Sequence, residues 1–198
     1  NGEIYNYQTL REELIAAGHT FTTKSDTEVL LHGYEQWGVD LLQRVRGMFT
    51  FVIWDKNKQE LFGARDHFGI KPFYYAKMNG TFMYASEIKS LLRHPDFVKE
   101  LNAEALKPYM TFQYPAIGET FFKGVYKLPE GHYFTYRDGK MDIHRYYDED
   151  FREGKQKLGE LVNSIDQTVC DSVKAHQIAD VEVGSFLSSG VDSSYVAA

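Results

Sequence analysis

The last fourteen residues, SFLSSGVDSSYVAA, place hydroxyl, glycine and carboxylate groups between an apolar segment and a helix-like one. The pattern over residues 180–198 predicts a β-strand, a tight loop and the start of a helix. The first N–H groups of a helix lack internal partners, and the helix dipole adds partial positive charge there. Gly190 would let the backbone approach a ligand without an intervening Cβ. The residues therefore predict an anion site.

The polar side chains of this loop indicate which anion it could bind. Hydroxyl donors come from Ser188, Ser189, Ser193 and Ser194. Asp192 does not favour a bare phosphate, but its carboxylate can hold a Mg²⁺ ion that does. The loop has no lysine after the glycine, so it is not a Walker A loop. An ordinary strand-to-helix turn with serine caps explains the same residues, and both interpretations stay open here.

The opening residues NGEIYN and the later segment SDTEV carry a second set of polar groups. Taken alone, Asn1 and Gly2 are typical of a turn. Asp26 follows Ser25 at a predicted helix start, where an acidic side chain is favourable for structural reasons. Residue chemistry by itself therefore leaves a structural explanation open at this end too.

The elements that would position these groups alternate between helical and β patterns. Helices are predicted over residues 6–18 and 25–38, each ended by a glycine, and Ser25 and Glu28 have capping-box spacing. Strand patterns cover residues 19–23, 48–55, 59–66, 73–78 and 81–86, and a hairpin is predicted over 132–147. Shorter helices are predicted over residues 87–94 and 103–110, the second capped by Asn102.

A change in composition follows the hairpin. Residues 149–157 are charged and weakly patterned, which predicts a linker between a domain over 1–148 and the start of another over 158–198. From Leu158 onward, apolar residues recur at helical spacing. The single cysteine, Cys170, lies in this stretch beside an apolar position and is interpreted as a half-buried packing residue.

Composition narrows the class of protein. The chain has 198 residues, 43% of them hydrophobic, and a net charge of −6 with dispersed basic residues, so no nucleic-acid partner is expected. Its longest apolar run, MFTFVIW, is too short to span a bilayer, and a single cysteine fits a reducing cytosol. We therefore predict a cytoplasmic protein without a membrane segment. The seven histidines show no metal-ligand spacing.

The loop LSSGVDSS resembles the PP-loop of ATP pyrophosphatases, usually Ser-Gly-Gly-x-Asp-Ser, with Ser189 in place of the first glycine. Those enzymes cleave ATP between the α and β phosphates and adenylate a carboxylate. The resemblance implies ATP binding by residues of the segment LSSGVDS, namely Leu187, Ser188, Ser189, Gly190, Val191, Asp192 and Ser193. It also implies that Asp192 contacts Mg²⁺.

The segments NGEIYN, SDTEV, GARDHFGIKPFYY and YASEIKSLL resemble class II glutamine amidotransferases. With the PP-loop they make the whole chain similar to the glutamine-hydrolysing asparagine synthetases. In that family an N-terminal cysteine attacks the glutamine amide with its own α-amine as base. The resemblance implies that Asn1 and Gly2 form the oxyanion hole, and that Glu3 and Asp26 bind the substrate ammonium. Arg65 and Asp66, in the third segment, are interpreted as scaffold residues.

No residue of this sequence matches the family's nucleophile. Cys170 follows no cleavage signal and offers no free α-amine, and the family's carboxylate-binding arginine segment is also unmatched. The expectation is an internal fragment, inactive as a glutaminase by itself.

The resemblance implies an N-terminal-nucleophile α/β/β/α sandwich of antiparallel sheets, followed by the first β–loop–α unit of a PP-loop domain. It implies ATP-dependent transfer of nitrogen from glutamine to aspartate through an aspartyl-adenylate and internally transferred ammonia. A homodimer is compatible with it. Three alternatives stay open: an amidotransferase for another carboxylate, a β-lactam-synthetase-like cyclase, and a non-catalytic glutamine-binding scaffold.

Overall fold

The computed structural model describes residues 1–114, 116–179 and 181–198. The chain separates into two compact units, Asn1–Asp148 and Glu149–Ala198. None of the helices in the described part of the chain combines the length and the apolar character that a bilayer crossing requires.

The described residues of the first unit form four α-helices and eight strands. They are, in chain order, β1 (Gly2–Ile4), α1 (Tyr7–Ala16), α2 (Asp26–Trp37), β2 (Gly47–Asp55), β3 (Glu60–Arg65), β4 (Tyr74–Met78), β5 (Thr81–Ala85), α3 (Ile88–Leu91), α4 (Leu106–Phe112), β6 (Val125–Lys127), β7 (His132–Arg137) and β8 (Lys140–Arg145). Short 3₁₀ helices cover Gly38–Gln43 and Ala103–Ala105. The second unit contains α5 (Leu158–His176) and α6 (Val191–Ala197).

The strands of the first unit form two antiparallel sheets. One has five strands in the order β1-β2-β3-β7-β8, and the other has three in the order β5-β4-β6. The hairpin turns at Asn79-Gly80 and Asp138-Gly139 have positive φ at both central residues, as a type I′ turn requires. The sequence prediction of these two hairpins is therefore confirmed.

Three apolar clusters fix the layers of this unit. Leu14 of α1 and Val29 of α2 pack with Phe49 and Phe62 of the five-stranded sheet. Phe73, Leu128 and Phe134 form a second cluster, which side chains from both sheets complete. The third cluster joins the outer face of the three-stranded sheet to Leu91 of α3. The result is a helix, sheet, sheet, helix order, with the second cluster between the sheets.

Both predicted N-terminal helices are present, and their ends follow from local chemistry. Helix α1 ends in a Schellman motif, in which Gly18 donates to the Ile15 carbonyl and His19 to the Leu14 carbonyl. Helix α2 begins at the predicted cap, because the Ser25 hydroxyl accepts the Thr27 N–H at 3.1 Å.

The strand predicted over residues 19–23 is wrong, as is the capping box proposed for Ser25 and Glu28. The Glu28 carboxylate accepts the backbone N–H groups of Thr22 and Thr23, at 2.7 and 2.6 Å. Both threonine hydroxyls also donate to it. The backbone donors that a strand would place in a ladder are therefore bound to a carboxylate, which also draws Glu28 away from the Ser25 N–H.

Replacement of Glu28 by glutamine is expected to reduce the acid sensitivity of the first unit. The four donors lower the pKa of Glu28 from 4.5 to about 2, so the ionised form stabilises the fold above the unfolded pKa. That contribution is lost as the pH falls from about 4.5 to about 2. Melting temperatures measured from pH 6 to pH 2 should therefore fall less steeply for Glu28→Gln than for the parent. Glu12→Gln, the same change on exposed α1, should follow the parent curve; identical slopes for all three proteins would contradict the assignment.

The second unit confirms two predicted helices and corrects two other interpretations. Residues 181–187 form no strand, and Asp180, where the predicted strand begins, lies outside the described residues. A β-strand is defined by its hydrogen bonds to a neighbouring strand, and no described residue of the second unit belongs to a strand. Cys170 is exposed on α5, so its interpretation as a half-buried packing residue is wrong.

Candidate functional site

Strand β1 holds the predicted glutamine-site residues in one register against β2. Asn1 and Thr50 exchange both backbone hydrogen bonds, at 3.0 and 2.8 Å. Gly2 then lies opposite Phe49, and Glu3 opposite Met48. Because hydrogen-bonded and non-hydrogen-bonded pairs alternate in an antiparallel ladder, the N–H of Gly2 points away from β2.

That outward N–H lies at the free edge of the sheet, since β1 is the terminal strand of the five. Gly2 has φ +129, and a Cβ built on it would lie 2.0 Å from the Met48 carbonyl oxygen. Only glycine therefore fits this position. An exposed backbone donor on a rigid strand is the kind of group that stabilises a developing oxyanion.

Side-chain alternation along β1 separates the polar groups from the core. Ile4 is buried on the helix-facing side of the sheet, so Asn1 and Glu3 face the opposite side. A cavity of about 260 Å³ adjoins Asn1 on that side. It is lined by Asn1, Thr50, Val52, Phe73, Tyr84 and Ser86. Val52 and Phe73 belong to the cluster between the sheets, so the cavity opens where the two sheets meet.

Asp26 is brought to the edge of β1 by the first turn of α2. Its Oδ2 atom accepts the Ile4 backbone N–H at 3.0 Å. Ile4 is the second residue of β1 whose N–H points outward, so Asp26 and the Gly2 N–H lie along the same sheet edge. The sequence separates these groups by more than twenty residues, and the tertiary fold places them side by side. Asp26 therefore both fixes the strand edge and adds negative charge beside it.

Arg65 and Asp66 form the scaffold beneath this strand pair, which confirms their predicted structural role. The Arg65 guanidinium donates to the carbonyls of Lys71, Leu128 and Gly69 and is almost fully buried. The Asp66 carboxylate accepts the N–H groups of Phe49, Phe68, Ile70 and Lys71. The bond from Phe49 ties the loop after β3 to β2. The other partners satisfy the two charged groups, since a buried charge without hydrogen-bond partners is costly. Burial raises the pKa of Tyr146, whose hydroxyl donates to the Arg65 carbonyl.

The serine-rich loop of the second unit has its own internal order. Ser189 adopts φ +60, a left-handed conformation that favours glycine. The Ser193 hydroxyl accepts the Ser188 N–H at 3.3 Å and donates to the Gly190 carbonyl at 3.1 Å. The N-cap of α6 is Gly190, which has no side chain, so serine capping does not account for this loop.

Residues 1–147 match the family model that describes a glutamine amidotransferase domain. The chain belongs to the glutamine amidotransferase family. Residues 164–198 match a second family model, described as asparagine synthase. The predicted family is therefore confirmed, with an amidotransferase region followed by the start of an asparagine synthase region.

Several curated relatives of this amidotransferase chain carry synthetase names. It is 46% identical to glutamine-hydrolyzing asparagine synthetase 1 of Bacillus subtilis, covering 99% of the chain and 31% of that protein. It is 42% identical to a putative glutamine-hydrolyzing asparagine synthetase of Mycobacterium tuberculosis, covering 100% of the chain and 32% of that protein. The chain thus spans about a third of the length of the curated relatives it matches.

Two solved structures of more distant proteins share the fold. The B. subtilis glutamine phosphoribosylpyrophosphate amidotransferase, complexed with ADP and GMP, matches with a TM-score of 0.51 at 22% identity. The match covers 75% of this chain and 28% of that one. A structure described as the allosteric regulatory enzyme of purine biosynthesis gives 0.53 at 21% identity, with the same coverage. These similarities confirm the predicted N-terminal-nucleophile fold of antiparallel sheets.

The amidotransferase fold brings Asn1, Gly2, Glu3 and Asp26 to one sheet edge, and the serine-rich loop lies in the second unit. Sequence reasoning did not identify Thr50, whose backbone holds Asn1 in register, because a buried threonine in a strand has no distinguishing pattern. It also did not single out β1 as a strand, since three residues are too few for a periodicity to show.

Proposed function

We propose that the full-length enzyme, meaning a protein of the relatives' length that carries these 198 residues, makes asparagine from aspartate with glutamine as nitrogen donor and ATP as energy source. The observation that supports this best is the order of the two family matches, residues 1–147 and then 164–198, in one chain. The coarser statement, a glutamine amidotransferase, is established by the family match alone.

In this proposal the first unit hydrolyses glutamine to glutamate and ammonia. The carbonyl oxygen of the substrate amide gains negative charge when a nucleophile attacks, and the Asn1 side chain and Gly2 N–H stabilise it. Glu3 and Asp26 bind the substrate ammonium. The one thiol of the sequence is on α5, so we assign these residues to binding and oxyanion stabilisation and none of them to attack.

The second region would bind ATP. Aspartate attacks the α-phosphorus, pyrophosphate leaves, and ammonia then displaces AMP from the aspartyl-adenylate. The residues proposed to contact ATP are Leu187, Ser188, Ser189, Gly190, Val191, Asp192 and Ser193. A Mg²⁺ ion fits the donor set, because Asp192 is an exposed carboxylate beside the hydroxyls, and Mg²⁺ commonly binds through one protein carboxylate and the substrate phosphates. When bound there, the ion would neutralise phosphate charge.

Two relatives favour a second candidate, an amidotransferase that acts on another carboxylate. The chain is 34% identical to proteins named amidase chry2 of Gibberella zeae and amidase chyE of Penicillium rubens, over its whole length. Product analysis with aspartate as the only acceptor separates the candidates, because the proposed enzyme forms asparagine. The domain division at 1–148, 149–157 and 158–198, the cytoplasmic location and a homodimer stay predictions.

Asp26→Asn tests the glutamine side of this proposal in the full-length enzyme. An asparagine oxygen can still accept the Ile4 N–H, so the strand edge is kept while the negative charge is removed. A charge-assisted hydrogen bond contributes about 1.5–3 kcal/mol, so kcat/KM for glutamine should fall by about tenfold to a hundredfold. Asparagine synthesis from free ammonia should persist.

Asp40→Asn supplies the matched control, because it makes the same change on an exposed residue of the 3₁₀ helix after α2. Its glutamine kinetics should equal those of the parent. Equal loss of glutamine-dependent and ammonia-dependent synthesis in Asp26→Asn would assign Asp26 a purely structural part.

A further inference from the structure

Two histidines and a glutamate of the first unit lie close together, outside the set of predicted glutamine-site residues described above. His19, His32 and Glu35 each place one potential ligand atom within 4.8 Å of the others. The Glu35 Oε2 atom lies 2.7 Å from His32 Nδ1 and 3.6 Å from His19 Nδ1. Residue spacing does not reveal this group, because His19 precedes the helix that carries the other two. The seven histidines show no metal-ligand spacing in the sequence, and only the tertiary fold brings these three residues together.

Local structure holds each member of the group. His32 and Glu35 stand three residues apart on α2 and so share one helix face. His19 follows the Schellman motif, whose hydrogen bond to the Leu14 carbonyl fixes its backbone. The Phe21 ring meets His32 edge-on at 4.7 Å, and the two imidazole rings lie 5.1 Å apart. The histidine side chains are only 17% and 16% exposed, which limits their rotation.

Outer partners orient both rings so that the same nitrogen faces inward. The His19 Nε2 atom lies 2.9 Å from the side-chain oxygen of Gln36, an acceptor, so this nitrogen carries the proton and Nδ1 is free to donate its lone pair. The His32 Nε2 atom faces the Glu28 carboxylate at 3.7 Å. Histidine ligands of metal ions commonly donate their second ring N–H to a carbonyl, as His19 does to Gln36, whereas the 3.7 Å separation at His32 is an ion-pair distance and not a hydrogen bond.

We propose that His19 Nδ1, His32 Nδ1 and the Glu35 carboxylate bind a divalent transition-metal ion of the zinc class, with water as a fourth ligand. Two imidazoles and one carboxylate are a donor set suited to Zn²⁺ or Co²⁺ rather than to Mg²⁺. Zn–N and Zn–O bonds of about 2.0–2.2 Å in a tetrahedron place ligand atoms about 3.3–3.6 Å apart. The two separations that involve Glu35, 2.7 and 3.6 Å, lie at or below that range, and all three ligand atoms lie within 4.8 Å of one another.

The bound ion would connect the segment between α1 and α2 to the middle of α2. That helix begins at Asp26, less than two turns before His32. The metal therefore stabilises the helix that carries a predicted substrate-binding carboxylate, without contacting substrate. Glu28 belongs to the surroundings of the site, because Thr22 and Thr23 already occupy its oxygens.

The test uses Co²⁺ and Zn²⁺ with the 198-residue chain carrying Cys170→Ser, since the exposed thiol could bind either ion. We expect one equivalent of Co²⁺, visible d–d absorption typical of a tetrahedral site, and displacement by Zn²⁺ but not by Mg²⁺. His19→Gln and His32→Gln should each weaken binding by more than about a hundredfold. Gln36→Met, which removes the acceptor for His19, should weaken it by about tenfold to a hundredfold.

Thermal unfolding supplies an independent readout. Zn²⁺ at a hundredfold excess over its Kd should raise the melting temperature of the parent by about 5–10 °C. The same Zn²⁺ concentration should leave the melting temperature of the Glu35→Gln variant unchanged. His144→Gln, an exposed histidine on β8, should bind and melt like the parent. If one ligand variant does not fold by circular dichroism, the other histidine variant carries the comparison.

Two results would overturn the proposal. One is the absence of saturable Co²⁺ or Zn²⁺ binding below millimolar concentration, which would leave the group as a hydrogen-bonded cluster. The other is binding that folded His19→Gln and His32→Gln proteins retain at parental affinity. Neither result bears on the proposed asparagine synthesis, because these residues have no part in that chemistry.

Discussion

Gly190→Val and Asp192→Ala are each expected to abolish pyrophosphate formation by the full-length enzyme, with either glutamine or ammonia as nitrogen donor. A valine side chain would block close approach of the loop backbone to the ATP phosphates. Loss of the Asp192 carboxylate would remove the Mg²⁺-linked contact. Glutamine hydrolysis should survive both changes, because that chemistry belongs to the other unit and uses no ATP.

The structure indicates that these variants should fold. Gly190 has φ −80, and a Cβ built on it has its nearest neighbours, two serine hydroxyl oxygens, at 3.7 and 3.8 Å. Gly184→Val and Glu182→Ala are matched controls in the preceding segment and should keep parental pyrophosphate formation; Gly184 has no atom within 4 Å of a built Cβ. Parental rates in folded Gly190 and Asp192 variants would leave the loop without a phosphate function.

Ser189→Gly completes this series in the opposite direction. Ser189 already adopts the left-handed conformation that glycine takes without strain, φ +60. The variant should therefore keep its pyrophosphate activity, and its stability should stay equal or rise by up to about 1 kcal/mol. This restores the usual motif of the PP-loop family.

Asn1→Ala is expected to lower kcat for glutamine hydrolysis in the full-length enzyme by about a hundredfold to a thousandfold. Removal of one oxyanion donor typically has this effect because the charge it stabilises develops only in the transition state. The backbone of Asn1 pairs with Thr50, so the register of β1 does not depend on the side chain. KM for glutamine should change little, and synthesis from ammonia should continue.

Asn57→Ala, on the exposed turn between β2 and β3, is the control and should leave both activities unchanged. A steady-state assay of glutamate release, alongside asparagine formation from ammonia, measures the two reactions separately. A decrease of less than tenfold in kcat for Asn1→Ala would exclude its side chain from the oxyanion hole.

The sequence by itself determined two hairpin turns, the ends of the first two helices and the family. Turn chemistry at Asn79-Gly80 and Asp138-Gly139 selects one hairpin geometry, because few residue pairs accept positive φ twice. The Ser25 cap and the glycines after α1 and α2 set helix ends through contacts within a few residues. The amidotransferase family could also be identified locally, because each of its motifs is a short contiguous segment that can be read directly from the sequence.

Only the tertiary structure decided which distant groups meet. Residues 19–23 have strand-like side chains, yet Glu28 binds their backbone N–H groups, and no local pattern reveals that competition. Pairing of β1 with β2 turns the Gly2 N–H outward beside Asp26, and helix packing brings His19 to His32 and Glu35. Such contacts depend on register and on layer packing, which are properties of the whole unit. A sequence specifies them only through the combined burial of many side chains.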